Sequence, residues 1–264
     1  MNSARFYKFR GVGDDFAKDY TLHALFNSYA IFSGRKNFND LFDSKIDIPR
    51  PTPEQILALA RDPGVGTNAA IVDRWISDGA FTPDGLRDLS RAEAALNELF
   101  DSYAIYSLSS HNNCPLLWAH YASCHTGFCI ELEFPGNQPK QVDYRKQIDS
   151  IPLVDFIKVR FGLIGSDFGA RIHDALLVKL DCWAYEGEYR WIATNEMGRV
   201  PRGDKFIKIP YDPEWVKAII FGCRMRPEVK TYIRKNLPFS TEFKQAMERK
   251  DRIEVVAFDE LSHL

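Results

Sequence analysis

The spacing of apolar residues along the chain changes several times, and each change marks an element. In RFYKFRG (5–11) aromatic and basic residues nearly alternate, which predicts a strand with one packed face and one face presenting Arg5, Tyr7 or Arg10 according to register. Leu22, Leu25 and Phe26 then fall at helical spacing, and Ala30, Ile31 and Phe32, closed by Ser33 and Gly34, form the next strand. The following NFNDLFD (37–43) has no clean period. Its Asn and Asp side chains bond nearby backbone amides and predict an ordered loop. Thr52, Pro53 and Gln55 form a strong helix start, and Thr82 with Pro83 repeats much of it, so residues 52–102 read as mainly helical with a break at PGVG (63–66). Strands flank this block, which makes 44–102 a helical insertion within a single α+β domain spanning 1–264.

The densest pattern runs from 103 to 134. A strand through Tyr106 and Leu108 leads to SSHNN, then a short helix PLLWAHYA, then GFCIELEF. In that last strand Phe128, Ile130, Leu132 and Phe134 alternate with Cys129, Glu131 and Glu133, giving one buried and one wetter face. Residues 153–180 are helical with a break near Gly162 to Gly165. Strands follow near 189–194, 206–209 and 216–221, then a helix from about 227 to 235 and a last strand at 252–258. Strands mostly not joined by regular helices predict α+β, with a bent mixed or antiparallel sheet, rather than a doubly wound parallel sheet.

Composition narrows the function classes. The chain has 264 residues with 34 Lys and Arg against 36 Asp and Glu, so a dedicated non-specific nucleic-acid coat is not expected. No apolar stretch approaches a membrane span and the start lacks a signal-peptide core, which predicts a cytoplasmic protein with no membrane partner. Five cysteines, at 114, 124, 129, 182 and 223, sit in apolar or aromatic surroundings and read as reduced thiols. Three histidines and three cysteines crowd into 111–129, but without a C-x-x-C knuckle their spacing predicts no metal site. The chain also lacks a Walker-type phosphate loop, a dinucleotide glycine fingerprint, a G-x-S-x-G elbow and an H-E-x-x-H pair.

Two constellations could carry chemistry. In WAYEGEYRW (183–191), Glu186, Glu188 and Arg190 lie two apart and would share one strand face. They are either a solvated strand with ion pairs, or a carboxylate pair held against aromatic walls, one with a raised pKa, able to orient a hydroxyl or stabilise a developing cation. In WAHYA (118–122), Trp118, His120 and Tyr121 on one short helix, with His125 in the next turn, either line a pocket that stacks on an aromatic ring or serve as core. Arg10 and Ser33 each end a strand and are weaker signals. Shared burial cost predicts that Arg10, His120, Tyr121, Glu186 and Glu188 line one cleft.

Taken in order, YKFR (7–10), IFS (31–33) with NFNDLFD, YSLSS, WAHYA, HTGFCIELEF and WAYEGEYRW resemble a widespread bacterial family of unknown function, over about residues 5–222. The chain departs from that pattern at Leu41, where the family usually has proline, and in the long helical block after Asp43. More remotely the motif order resembles ADP-ribosyltransferases of the Arg-Ser-Glu type. That resemblance implies their fold, NAD as substrate, and transfer of ADP-ribose to a macromolecular acceptor, protein or nucleic acid. By its motif positions, Arg10 and Ser33 would bind the NAD-like nucleotide, with His120 or Tyr121 beside it. Glu188 would stabilise the oxocarbenium-like state and Glu186 would position or deprotonate the acceptor. Glu188→Gln would then abolish activity and leave the fold intact. The family setting implied is bacterial phage defence or a toxin role. A non-catalytic nucleotide-sensing module stands as the alternative, and a metal-dependent nuclease using Asp40, Asp43, Glu131 and Glu186 as a second.

Overall fold

The computed structural model describes residues 4–136, 139–165, 167–193 and 206–258. Thr194, expected to end a strand, lies outside them. The chain forms two compact units: Met1–Ser33, Ala104–Val142 and Cys182–Leu264 make the first, and Gly34–Tyr103 with Asp143–Asp181 make the second. The helical block expected at 44–102 lies within the second unit, which also takes in residues 143–181.

In chain order the elements are β1 (Arg5–Arg10), α1 (Tyr20–Phe26), β2 (Tyr29–Gly34), β3 (Ile46–Asp47), α2 (Pro53–Ala60), α3 (Ala69–Asp73), β4 (Ile76–Ser77), β5 (Ala80–Phe81) and α4 (Pro83–Asp101). Then come β6 (Ala104–Ser109), α5 (Pro115–Tyr121), β7 (Phe128–Glu133), β8 (Lys140–Gln141), β9 (Asp143–Arg145), β10 (Asp149–Ser150), α6 (Leu153–Arg160), α7 (Asp167–Ala175) and β11 (Val178–Leu180). The chain continues with β12 (Glu188–Ala193), β13 (Phe206–Pro210), β14 (Val216–Phe221), α8 (Pro227–Asn236), β15 (Glu242–Glu248) and β16 (Ile253–Ala257).

In the second unit the predicted capping box is present: Thr52 Oγ1 accepts from Gln55 N, and Gln55 Oε1 accepts from Thr52 N. Thr82 caps α4 in the same way through Gly85 N. A small hairpin, β4 with β5, interrupts the helical run. A buried ion pair, Lys179 Nζ to Asp43 Oδ2 at 3.2 Å, ties β11 to the last residue of the NFNDLFD loop.

The first unit is a mixed ten-stranded sheet in the order β13-β2-β6-β1-β7-β14-β15-β16, with β12 on β6 and β8 on β12. The β14–β15 pair is parallel, whereas β1–β7, β6–β12 and β7–β14 are antiparallel. This is the α+β class with a mixed sheet. One core cluster joins Phe32, Tyr106, Phe128, Ile130, Ile219 and Phe221; another puts Trp118 of α5 on Phe9, Cys129 and Ile220. Trp118 is therefore core, its ring edge-on to Phe9 at 5.0 Å. All five cysteines are free thiols. Among the described residues no helix is long and apolar enough to cross a membrane.

The junction of this sheet is β6. A strand has two hydrogen-bonding edges, and β12 pairs with all six residues of β6, from Glu188↔Ser109 to Ala193↔Ala104. Both β2 and β1 also bond to β6 and must share its other edge. Consequently β1 keeps one bridged pair with it, Tyr7↔Ser109, while pairing along its whole length with β7. A fork opens there between β1 and β2.

Asp19 closes the loop that leads out of the fork. Its carboxylate accepts from Gly13 N at 2.9 Å, Thr21 N at 2.8 Å and Leu22 N at 3.1 Å, capping α1. Burial pushes its pKa up, but the Thr21 hydroxyl and these amides outweigh it and hold the group below 3.8. A depressed carboxylate contributes stability above its unfolded pKa and loses it as pH falls through the folded value. Asp19→Ala should therefore cost about 1–2 kcal/mol in urea titrations at neutral pH, with the gap to wild type narrowing below pH 3.8.

Candidate functional site

Glu186 ends the 3-10 turn Asp181–Glu186, and Gly187 at φ 50° swings the chain into β12. Gly187 is required twice over. Its φ disfavours a side chain, and a Cβ there would lie 2.5 Å from Ser110 Oγ and 2.6 Å from His111 Nε2. That close approach lets the SSHNN loop bind the turn. Ser109 Oγ donates to Glu186 O at 2.6 Å, His111 N donates to Ser109 Oγ at 2.9 Å, and Ser110 N donates to Gly187 O at 2.9 Å. The Glu186 side chain is buried, and the Tyr121 hydroxyl at the end of α5 donates to its Oε1 at 2.6 Å. His120 stands beside Tyr121, with ring centroids 6.3 Å apart, but on the exposed side of the helix.

Glu188 and Arg190 are also buried, and they face each other. Arg190 Nε donates to Oε1 at 2.9 Å and NH2 donates to Oε2 at 3.1 Å, a two-pronged charge-assisted pair. The strand is therefore not the solvated one with cross-strand ion pairs: Glu188 is in an ion pair, but a buried one within β12.

Strand register decides which residues share a face. Glu188↔Ser109, Ser109↔Tyr7 and Tyr7↔Glu131 form one row, so all four side chains point to the same side. Arg10, three residues after Tyr7, points to the other side with Tyr106, whose ring centroid lies 5.9 Å from its guanidinium carbon. Phe32 stacks on Tyr106 at 5.4 Å, so the neighbouring Ser33, paired with Phe206, turns away from Arg10. Thus Tyr121 and Glu186 meet, while Arg10 lies on the opposite face from Glu188 and Ser33.

What links the faces is Lys8, a residue of the YKFR motif that the sequence reading did not single out. Its ammonium reaches into the fork, donates to the Ser107 carbonyl at 2.5 Å and lies 4.6 Å from the Tyr106 ring centroid. Desolvation holds its pKa well below the ordinary ammonium value. Arg10 lowers it further, and Glu188 and Glu186 pull partly in the opposite direction. Lys8 therefore feels the charge of Arg10 and of both carboxylates. Burial also pushes Tyr106 up to about 12, against a lowering by Arg10. Nearby, the Tyr211 hydroxyl is buried with no hydrogen-bond partner among the described residues, a deficit of about 1–3 kcal/mol.

The carboxylates proposed for a metal are engaged elsewhere: Asp43 with Lys179, and Glu131 with Arg5 and Lys244. No group of three side chains that could hold a metal forms among the described residues. No family model, curated protein or solved structure matches the chain.

The Glu188–Arg190 pair changes the expectation for Glu188→Gln. Glu188→Gln takes the charge out of a buried two-pronged pair, and breaking such a pair costs about 3–5 kcal/mol. Chemical denaturation should show that loss for Glu188→Gln. The double variant Glu188→Leu/Arg190→Met should recover at least half of it, and equal losses for single and double variants would show that the pairing is not the cause.

Proposed function

We propose that the first unit binds an NAD-like nucleotide at the fork and cleaves it as ADP-ribosyltransferases do, passing ADP-ribose to a protein or nucleic-acid acceptor. The observation that carries this reading is that Lys8 and Arg10 both lie against the Tyr106 ring of β6, while Glu188 pairs with Ser109 of the same strand and Glu186 stands two residues before it. A dinucleotide needs both kinds of charge. Its pyrophosphate calls for cations, and its reacting ribose calls for a carboxylate where positive charge grows.

In this reading Arg10 and Lys8 hold phosphate oxygens, and Glu186 is the working carboxylate because Tyr121 fixes one of its oxygens. The glycosidic bond to nicotinamide breaks with its electron pair leaving on the base. The acceptor attacks the sugar carbon, and its proton passes to Glu186. Glu188 takes a positioning role, holding Arg190 and with it the face of β12, which moves the resemblance-based assignment from Glu188 to Glu186.

A nucleotide-sensing module without turnover is the second reading. It is favoured by the same Glu188–Arg190 pair, since a carboxylate committed to a buried guanidinium is poorly placed to stabilise a transient cation. Labelled NAD incubated with the protein and cell extract separates the two. Turnover predicts free nicotinamide and label on a macromolecular fraction, with release falling at least about a hundredfold in Glu186→Gln while thermal melts stay near wild type. Saturable NAD binding with no nicotinamide would select the sensing module, and no binding would end both readings.

A further inference from the structure

On the face of the sheet that carries Glu131, a cavity of about 580 Å³ opens beside the row Tyr7↔Glu131. Its walls include Arg5, Tyr7, Asn112, Glu131, Lys244 and Val255. We infer that this cavity is a second binding site, for a small ligand that joins an anionic head to an apolar or aromatic body. The inference does not depend on the nucleotide reading.

The head group follows from how the charges are already spent. Glu131 is almost fully buried, and each of its oxygens is taken: Oε1 by Arg5 NH1, Oε2 by Lys244 Nζ at 2.8 Å. Lys244 also reaches Glu242 at 3.5 Å, so both carboxylates at the cavity are matched by cations. A cationic ligand would have to break one of those pairs. Arg5 is different. Its Nε and NH2 have no acceptor among the described residues, and its side chain is half exposed, 51%. A guanidinium offers five N–H donors in a planar fork, so the unused edge suits a carboxylate or phosphate. The buried Glu131 fixes that fork before any ligand arrives, which reduces the ordering cost of binding.

The body follows from the opposite wall. Lys244 pairs with Ala257 and Ala246 with Val255, so Val255 and Ala257 stand on the same side of β16 as the Lys244 ammonium. They offer an apolar surface a few ångströms from the cationic one. The Tyr7 hydroxyl, with Asn112 as its hydrogen-bonding neighbour, supplies a polar group between the two.

A matched probe series tests both halves on the full chain. Benzoate, phenyl phosphate, benzylamine and benzyl alcohol share one ring and differ in the head, and each can be titrated at about 1 mM by ligand-observed NMR. The two anions should bind at least about tenfold more tightly than the amine or the alcohol. Arg5→Gln should weaken the anions by a similar factor. Arg5→Lys keeps a cation for Glu131 and covers the case in which glutamine harms folding; it should fold as wild type and still lose several-fold affinity, because a point charge replaces the fork. Ala257→Leu narrows the cavity beside Lys244, leaves Arg5 and Glu131 unchanged, and should weaken both anions. Equal binding of amine and anions, no binding of any probe, or anion binding indifferent to Arg5→Lys and Ala257→Leu would each overturn the assignment.

Discussion

A strand has two hydrogen-bonding edges, and β6 has three partners. Everything distinctive in the first unit depends on how that shortage is resolved. β12 takes one edge completely, so β1 and β2 divide the other, and β1 stays attached through Tyr7↔Ser109 alone. Past that bridge the Ser107 carbonyl accepts from the Lys8 ammonium instead of relying on a neighbouring strand. An unpaired carbonyl at this depth would cost on the order of 1–3 kcal/mol, so a lysine in the gap is a structural solution as well as a chemical one. It is an uneasy solution, because desolvation and Arg10 both disfavour the charge that makes the bond strong. The two carboxylates across β6 offset this, tying the cationic and anionic groups to one another.

The carboxylates are held in different ways. Glu188 sits in a bidentate pair with Arg190 in the same strand, a geometry that β alternation supplies at no cost in chain reach. Glu186 is outside the strand, in a turn whose 186–187 carbonyls accept from Ser109 and Ser110, and is reached by Tyr121 from a separate helix. One acid is thus built into the sheet, and the other is presented by a loop gripped from two sides. Loops gripped by a rigid sheet are where reacting groups are commonly carried. This is the physical reason for preferring Glu186 to Glu188 as the reactive group.

Much of the architecture was legible in the sequence because one-sided burial writes a period into it. β1, β7, β13, β14 and β16 were placed within a residue or two, although of these only β13 is buried at strictly alternate positions, and the caps at Thr52 and Thr82 begin helices as their side chains predict. β15 was missed for a reason that is equally physical. Its buried positions are Gln245 and Ala246, and the Gln245 amide is satisfied by the Phe221, Gly222 and Ala246 carbonyls, so the strand shows no apolar alternation. The hairpin at 76–81 escaped because two-residue strands carry no period. The partnership of 143–181 with 34–103 is a long-range pairing that no local window contains. The site was half legible. Of the residues singled out, Tyr121 and Glu186 meet, yet whether Arg10 and Glu188 share a face depends on Tyr7↔Ser109, a cross-strand register that one sequence does not state.

The end of β1 that carries Arg10 packs against a strained turn. Ser123, Cys124 and His125 all adopt left-handed backbone angles, with φ of 47°, 51° and 71°, which costs non-glycine residues about 1–3 kcal/mol each. The turn persists because its neighbours accept it only in that shape. Gly127 N bonds Ala122 O, and Gly222 N and Arg224 N bond the Gly127 and His125 carbonyls. The approach is so close that a Cβ on Gly127 would stand 2.1 Å from the Arg10 carbonyl, and one on Gly222 would stand 2.2 Å from that of His125. Strain of this kind is sustained where a backbone must be held against its own preference. Here it fixes the main chain of Arg10 at the mouth of the fork, where the guanidinium lies on Tyr106 and has no ion-pair partner among the described residues.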